Sequence, residues 1–320
     1  MERGLVLNAA RRQAELPEKR RAAPRAIGEG AAKAAGRHGV VVSHLGVAVD
    51  VELDDGTPVR LRVGRKSGIV VGDDVEVVGE HARQLERRTA LLRRAFGGGV
   101  HVVAANLDVL GIVAAVDPPA RAGLIDRAAV AARSAGVTPF LIINKVDLDG
   151  AEEIIAAAKA RVAGELECFA VSAHDGTGIA LIADYIREHG RGALVGSSGV
   201  GKSSILNRLM PGIDLRVRAL SEANGVGRHT TTVSTLHRLP GGGELVDTPG
   251  VREFGLVDVD KLELARFFPG FSVVEAPCRF RDCLHAEEPD CAIQAAVDDG
   301  RVDPVRYVAY RTLLAEVMGG

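Results

Sequence analysis

The sequence predicts an α/β protein in three parts: a doubly wound domain in the middle, an OB-fold β-barrel before it, and a small, mainly helical domain after it. Three observations predict this. From about Gly39 to Arg94, short Val-rich runs, some alternating, are split by Asp-Asp-Gly and Gly-Asp-Asp turns, the pattern of antiparallel barrel strands. From about Asn106 to Leu256, continuous apolar runs alternate with Ala-rich stretches, as in parallel strands buried on both faces and joined by helices. Beyond Leu256, a Cys/His cluster is followed by a last helical pattern from about Pro304 to Val317, with proline suited to the first turn.

Composition bounds the function. The chain has 320 residues, 47% apolar and 26% charged, enough for two or three globular domains. No apolar run approaches the ~20 residues of a membrane span, and the N-terminus lacks a compact apolar segment, so no membrane association and a cytoplasmic location are expected. Four cysteines in such a chain suggest thiols or metal ligands before disulfides. A net charge of −2 argues against a general nucleic-acid binder, so any such contact must come from local patches. A monomer is the default expectation.

The domain reading is 1–36, 37–96, 97–256 and 257–320. The first stretch is basic (Arg11, Arg12, Lys19, Arg20, Arg21, Arg25, Lys33) and without apolar periodicity. It reads as a disordered tail that could order on a polyanion such as RNA. The barrel should have about five strands. Arg60, Arg62, Arg65 and Lys66 offer an RNA contact, but stacking aromatics are missing, and a barrel used for protein contact only is the alternative. In the middle domain the expected strands are Leu107–Val116, Pro139–Ile143, Glu167–Val171, Ala193–Gly196 and Glu244–Val246, with helices over Ala120–Ser134 and Ala151–Val162. A helix over Asp258–Phe267 is expected in the last domain.

Gly196 to Ser203 reads G-x-x-x-x-G-K-S, the phosphate loop of nucleoside triphosphatases. Gly196, Gly199 and Gly201 let the backbone turn its N–H groups toward phosphates, with Ser197, Ser198 and Val200 between them. Lys202 reaches the β- and γ-phosphates, Ser203 ligates Mg²⁺, and Ser204 continues the helix whose positive end faces the site. A buried strand before the loop and a helical SSILNRLM after it support the match.

Asn144-Lys145-Val146-Asp147 closes the strand Pro139–Ile143 and reads N-K-x-D. A carboxylate at Asp147 accepts from guanine N1–H and the exocyclic amine; adenine would leave it unpaired, and buried unpaired groups discriminate strongly. Ser172-Ala173, at the end of the next strand, matches the S-A element that backs the base. Asp247-Thr248-Pro249-Gly250 reads D-x-x-G, whose Asp247 bonds an Mg²⁺ water and whose Gly250 N–H meets the γ-phosphate. Among the threonines of GVGRHTTT, Thr231 is the chosen Mg²⁺-capping switch residue, with Thr230 and Thr232 also open. The base readers precede the phosphate elements, the reverse of most GTPases, so the domain is a circularly permuted P-loop GTPase domain. The segment after Gly250 then leads straight into the last domain, where loss of the γ-phosphate could be felt.

Val251 stands where a Ras-like enzyme carries a water-orienting glutamine. His229 is the candidate for that role; an exposed loop histidine is the equal alternative. No arginine finger is assignable, so unstimulated turnover should be slow. Cys278-x₄-Cys283-x-His285-x₅-Cys291 supplies three thiolates and an imidazole, a closed tetrahedral set for one structural Zn²⁺. Cys168 lies in a strand pattern and reads as core.

Taken in this order, N-K-x-D, S-A, GSSGVGKSS, GRHTTT, DTPGV and C-x₄-C-x-H-x₅-C resemble the ribosome small-subunit-dependent GTPases of bacteria, the RsgA or YjeQ type, across about residues 38–317. RAFGGGVHVVAANLD looks like that family's junction between barrel and GTPase domain, and Val251 agrees with its hydrophobic residue in place of Gln. The resemblance implies GTP/GDP, Mg²⁺ and Zn²⁺ as cofactors. It also implies action in late assembly of the 30S subunit, contact with 16S rRNA, and hydrolysis stimulated by the subunit. The alternative is a GTP-gated RNA-binding module with incidental turnover; a GTPase of the large subunit is a third reading.

Overall fold

The computed structural model describes residues 36–64, 66–94, 99–162, 164–211, 234–247, 256–257 and 259–319. The first five strands are β1 (Arg37–His44), β2 (Ala48–Leu53), β3 (Pro58–Arg62), β4 (Asp74–Val78) and β5 (His81–Gln84). β1 pairs antiparallel with both β2 and β4, which pair on to β3 and β5. Alternation turns Val49, Val51 and Leu53 inward against Val41, Leu61, Ile69, Val75 and Val77. These strands form the expected OB-like barrel. Its fully buried Asp73 is paired with Arg87 at 2.6 Å, the kind of pairing a buried carboxylate requires.

A hairpin follows, β6 (Ala90–Arg94) with β7 (Val100–Ala105). The α/β domain then runs β8 (Val109–Ala115), α1 (Leu124–Ser134), β9 (Thr138–Asn144), α2 (Ala151–Arg161), β10 (Cys168–Ala170), α3 (Ile179–His189), β11 (Arg191–Val195), α4 (Lys202–Leu209), β12 (Ser234–Arg238) and β13 (Glu244–Asp247). Its strand order is β10-β9-β8-β11-β13-β12. All are parallel except β12, which runs antiparallel to β13. The continuous apolar runs are explained by burial on both faces. Leu110, Ile112 and Ala114 of β8 pack toward α1 and α2, while Val109, Val113 and Ala115 pack toward α3 and α4. A side chain at Gly111 would meet Leu194 at 2.6 Å and Phe140 at 2.8 Å, so its absence lets neighbouring strands fill that face.

Barrel and α/β domain share one sheet, because β1 pairs with β12 through Ser43 opposite Thr235 and His44 opposite Ser234. Arg238 of β12 also bonds Glu52 of β2. A second joint centres on Gly72, whose carbonyl accepts from Asn106 Nδ2 at 2.9 Å and Arg191 Nη1 at 2.7 Å. Gly72 has φ +88°, and a Cβ there would lie 2.2 Å from the Ala105 carbonyl oxygen. Left-handed strain of about 1–2 kcal/mol plus a backbone clash should make Gly72→Ala cost at least about 2 kcal/mol. A fall of several degrees in melting temperature, followed by circular dichroism, checks this; an unchanged melt would contradict it.

The C-terminal unit contains α5 (Leu264–Phe267), α6 (Ala292–Asp298) and α7 (Pro304–Gly319). The helix expected over Asp258–Phe267 is helical only at Leu264–Phe267 among the described residues. The Asp260 carboxylate accepts the Leu262 N–H at 2.9 Å, a local turn that competes with helix, and Pro269 stops the segment beyond Phe268. Leu264, Phe268, Phe271, Tyr310, Leu313 and Leu314 form the core, joined by Val130 of α1. Two charged contacts fasten this unit to α1. Buried Asp126 meets Arg306 at 2.9 Å and Arg161 at 3.0 Å, and Arg306 also donates to the Pro269 carbonyl at 2.9 Å. Glu165 accepts from Ser272 Oγ at 2.6 Å, Gly270 N–H at 2.8 Å and Arg133 at 2.9 Å. Burial pushes the Glu165 carboxyl up, but bonds from Ser272, Arg133 and Gly270 outweigh it and hold it below its ordinary range. Among the described residues no helix is long and apolar enough to cross a membrane.

Candidate nucleotide site and cysteine–histidine centre

Parallel strands place their C-terminal ends at one edge of the sheet, where α/β proteins bind ligands. β11 lies near the middle and opens into the phosphate loop; β9 and β10, on one side, open into N-K-x-D and S-A; β13, on the other, ends at Asp247. The loop glycines do what the sequence requires. Gly196, Gly199 and Gly201 have φ of +153°, +84° and +93°. A Cβ on Gly196 would lie 2.3 Å from the Val113 carbonyl oxygen, and one on Gly201 would lie 2.2 Å from Asn144 Nδ2. α4 begins at Lys202, with Gly201 as its N-cap and no side-chain cap bond, so its first N–H groups remain available to an anion. Ser203 and Ser204 are exposed in that first turn. Lys202 Nζ spans the loop, donating to the Gly196 and Ser197 carbonyls at 2.7 Å each.

Asn144 ties the N-K-x-D segment both to the Gly196–Ser203 loop and to the S-A loop. It is 1% exposed, donates from Nδ2 to the Val200 carbonyl at 2.8 Å, and accepts the Ala173 N–H on Oδ1 at 3.0 Å. Lys145 has φ +64° and donates through Nζ to the Asp117 carbonyl at 2.5 Å. Asp117 precedes Pro118, which faces Gly199 of the phosphate loop. Ser172 is fully buried and its Oγ accepts the Asp175 N–H at 3.3 Å. Asp147 reaches the surface and lies 3.9 Å from the His174 imidazole. The cradle of positive-φ glycines, the lysine across it and the available helix end fit a nucleoside polyphosphate. His229, Thr231 with Thr230 and Thr232, Thr248, Gly250 and Val251 lie outside the described residues.

Cys278, Cys283, His285 and Cys291 converge, all four ligand atoms lying within 4.8 Å of one another. His285 Nδ1 is 3.4 Å from Cys278 Sγ, 3.5 Å from Cys283 Sγ and 3.4 Å from Cys291 Sγ, and the Cys278 and Cys291 sulfurs are 3.9 Å apart. A tetrahedral Zn²⁺, with bonds of about 2.3 Å to sulfur and about 2.0 Å to nitrogen, spaces its ligands about 3.5–3.8 Å apart. The cluster can therefore hold such a cation. Burial pushes the Cys283 thiol up to about 12 and pushes the His285 imidazole down, so histidine is held in its neutral, ligating form. The Glu288 carboxylate accepts the Leu284 and Ala286 N–H groups at 2.8 Å each. Tyr310 donates to the Leu284 carbonyl and Tyr307 to the His285 carbonyl, both at 2.9 Å. Cys168 lies apart, half-buried in β10.

Two supporting groups escape the motif reading. Asp117 acts through its backbone carbonyl, which no residue pattern marks. Arg208, in the last turn of α4, bonds the Ala173 and His174 carbonyls from a position that reads as an ordinary exposed helix residue.

Known proteins resemble this chain in sequence and in fold. The RsgA GTPase family matches residues 84–257. A "Small ribosomal subunit biogenesis GTPase RsgA" from Azotobacter vinelandii (strain DJ / ATCC BAA-1303) is 41% identical over 298 residues, covering 88% of this chain and 86% of that protein. The protein of the same description from Pseudomonas fluorescens (strain Pf0-1) is also 41% identical over 298 residues, with the same coverage of both chains. Among solved structures, YjeQ from Thermotoga maritima superposes with a TM-score of 0.72 at 29% identity, covering 89% of this chain and 99% of its own. YloQ, described as a circularly permuted GTPase, superposes with a TM-score of 0.68 at 25% identity, covering 91% and 98%. With the N-K-x-D and S-A motifs ahead of the G-x-x-x-x-G-K-S loop in the chain and beside it in space, this protein is a circularly permuted GTPase that uses GTP, GDP and Mg²⁺, and it belongs to the RsgA GTPase family.

Proposed function

We propose that this protein hydrolyses GTP during late assembly of the small ribosomal subunit, binding the 30S particle and contacting 16S rRNA. Its relatives are named for small-subunit biogenesis. The observation that carries the nucleotide assignment is Asn144, one side chain bonding both the phosphate loop and the S-A loop. Asp147, Lys145, Ser172 and Ala173 then form the guanine side. Gly196, Ser197, Ser198, Gly199, Val200, Gly201, Lys202, Ser203 and Ser204 form the phosphate side, with Asp247 toward an Mg²⁺ water and Gly250 toward the γ-phosphate. Ser203 and Thr231 would hold Mg²⁺, which would supply charge neutralisation at the phosphates when bound. His229 positions the attacking water. One Zn²⁺ at Cys278, Cys283, His285 and Cys291 is structural. The chain works as a cytoplasmic monomer, and its parts are 1–36, 37–96, 97–256 and 257–320.

The test is GTP hydrolysis by the protein alone, with purified 30S and with purified 50S particles, with ATP as control. Stimulation by 30S of at least about tenfold, a modest demand for a partner-activated GTPase, with no effect of 50S and none on ATP, is the expected result. Binding to 30S that depends on GTP without any acceleration would instead favour a GTP-gated RNA-binding module. His229→Ala with full stimulated activity would remove that residue from the chemistry.

A further inference from the structure

The loop between β10 and α3 is held from two sides. Its Ala173 N–H donates to Asn144 Oδ1 at 3.0 Å. From the opposite side, Arg208 Nε donates to the Ala173 carbonyl at 2.9 Å and Nη2 donates to the His174 carbonyl. Arg208 belongs to α4, the helix that begins at Lys202 of the phosphate loop. The phosphate-binding helix thus grips two consecutive carbonyls of the S-A loop, a fork geometry that arginine provides and lysine does not. Within the same loop, Thr177 N–H bonds Asp175 Oδ1 at 2.8 Å and Gly176 and Gly178 have φ of +96° and +71°. The loop closes on itself through Ser172 N–H to the Thr177 carbonyl and Gly176 N–H to the Ser172 carbonyl, both at 2.9 Å, and Asn144 and Arg208 hold this closed turn from outside at its start. His174, the residue whose carbonyl Arg208 holds, has its imidazole 3.9 Å from the Asp147 carboxylate.

We propose that Arg208 is a positioning residue for guanine recognition: by holding the Ala173 and His174 carbonyls it fixes the S-A loop against Asp147, so that the phosphate-loop helix sets the geometry of the base pocket. This rests on reading Ser172–Ala173 and Asp147 as the guanine side. It assigns Arg208 no contact with the nucleotide. Its consequence is selective: binding that depends on the base should weaken, and binding that depends on phosphates alone should not.

Binding in Mg²⁺ of GDP, ADP and the base-less tripolyphosphate, measured by calorimetry on the full chain, separates the possibilities. Wild type should prefer GDP to ADP strongly. Arg208→Ala, which loses two charge-assisted bonds, should raise the GDP dissociation constant about tenfold while leaving tripolyphosphate within twofold. Arg208→Lys, able to serve one carbonyl at a time, should fall between. His174→Ala keeps its own backbone carbonyl, so adding Arg208→Ala to it should still cost GDP affinity. A wild type that does not discriminate GDP from ADP would overturn both the guanine reading and this proposal. Discrimination in wild type with an unchanged GDP constant in Arg208→Ala would overturn the proposal alone. Equal losses for GDP and tripolyphosphate would overturn it too, assigning Arg208 to general support of α4.

Discussion

Replacing Gly201 with alanine should lower both GDP affinity and GTP hydrolysis by at least about a hundredfold. Three effects combine. The residue sits at φ +93°, where a Cβ costs about 1–2 kcal/mol. That Cβ would lie 2.2 Å from Asn144 Nδ2, and Asn144 is 1% exposed. Displacing it breaks the bonds to the Val200 carbonyl and the Ala173 N–H, each about 1–3 kcal/mol when a buried partner is left unsatisfied. The backbone strain falls on stability, while the two lost Asn144 bonds, about 3 kcal/mol together, separate the halves of the site and correspond to about a hundredfold in affinity. Gly150→Ala is the control, since Gly150 has φ +79° and nothing within 4 Å of its Cβ position. It should cost about 1–2 kcal/mol of stability and leave nucleotide binding alone. If Gly201→Ala binds GDP within threefold of wild type, Asn144 is not the bond between the two halves of the site.

Stripping the metal, or changing Cys283 to serine, should unfold the C-terminal unit while the α/β domain stays folded. Three thiols and an imidazole occupy the centre of that unit, and structural Zn²⁺ contributes apparent binding energy of about 10–16 kcal/mol in small domains, more than so short a core replaces. The expected stoichiometry is one Zn²⁺ per chain by elemental analysis. The chain has no tryptophan and three tyrosines, and two of these, Tyr307 and Tyr310, donate to carbonyls of the ligand loop. Tyrosine fluorescence therefore reports on this unit, and a chelator should change it with little change in nucleotide binding. Acid alone acts differently on the loop. Burial raises the Glu288 carboxyl, but bonds from the Leu284, Ala286, Glu288 and Glu287 N–H groups outweigh it and hold it at about 2. That contribution is fully present above the ordinary carboxyl range and is lost only as pH falls toward 2. Metal release at mild acidity should thus come from protonation of the ligands, with the loop still held. An unchanged tyrosine signal and melt in the chelated protein would refute a structural role.

The placement of the candidate motifs was legible because each is carried by residue types at fixed spacings. The phosphate loop, N-K-x-D, S-A and the four metal-ligand candidates each lie at the end of a strand or in one short loop, and all those described come together as the spacing demands. The parallel strands were legible because burial on both faces leaves uninterrupted apolar runs, as in β8. β12 was not, since Ser234–Arg238 is polar and its place in the sheet is set by β13 and by the barrel strand β1. α3, which is not among the expected helices, carries Ile179, Ile182 and Ile186 at helical spacing. Asp126 and Arg306 pair across 180 positions of sequence, and only the fold brings them together. The short α5 fell below expectation because Asp260 offers its neighbour a competing bond.

The pairing of β1 with β12 also bears on solubility. A border strand presents unpaired N–H and C=O groups, and proteins suppress self-assembly there by shortening, charging or covering it. In the α/β sheet, one border, β10, has three residues. The other, β12, is met by β1 at Ser43 and His44. The barrel thus meets one end of the far border of the α/β sheet, and an α/β domain cut free of it would leave Ser234 and Thr235 of β12 open to another strand.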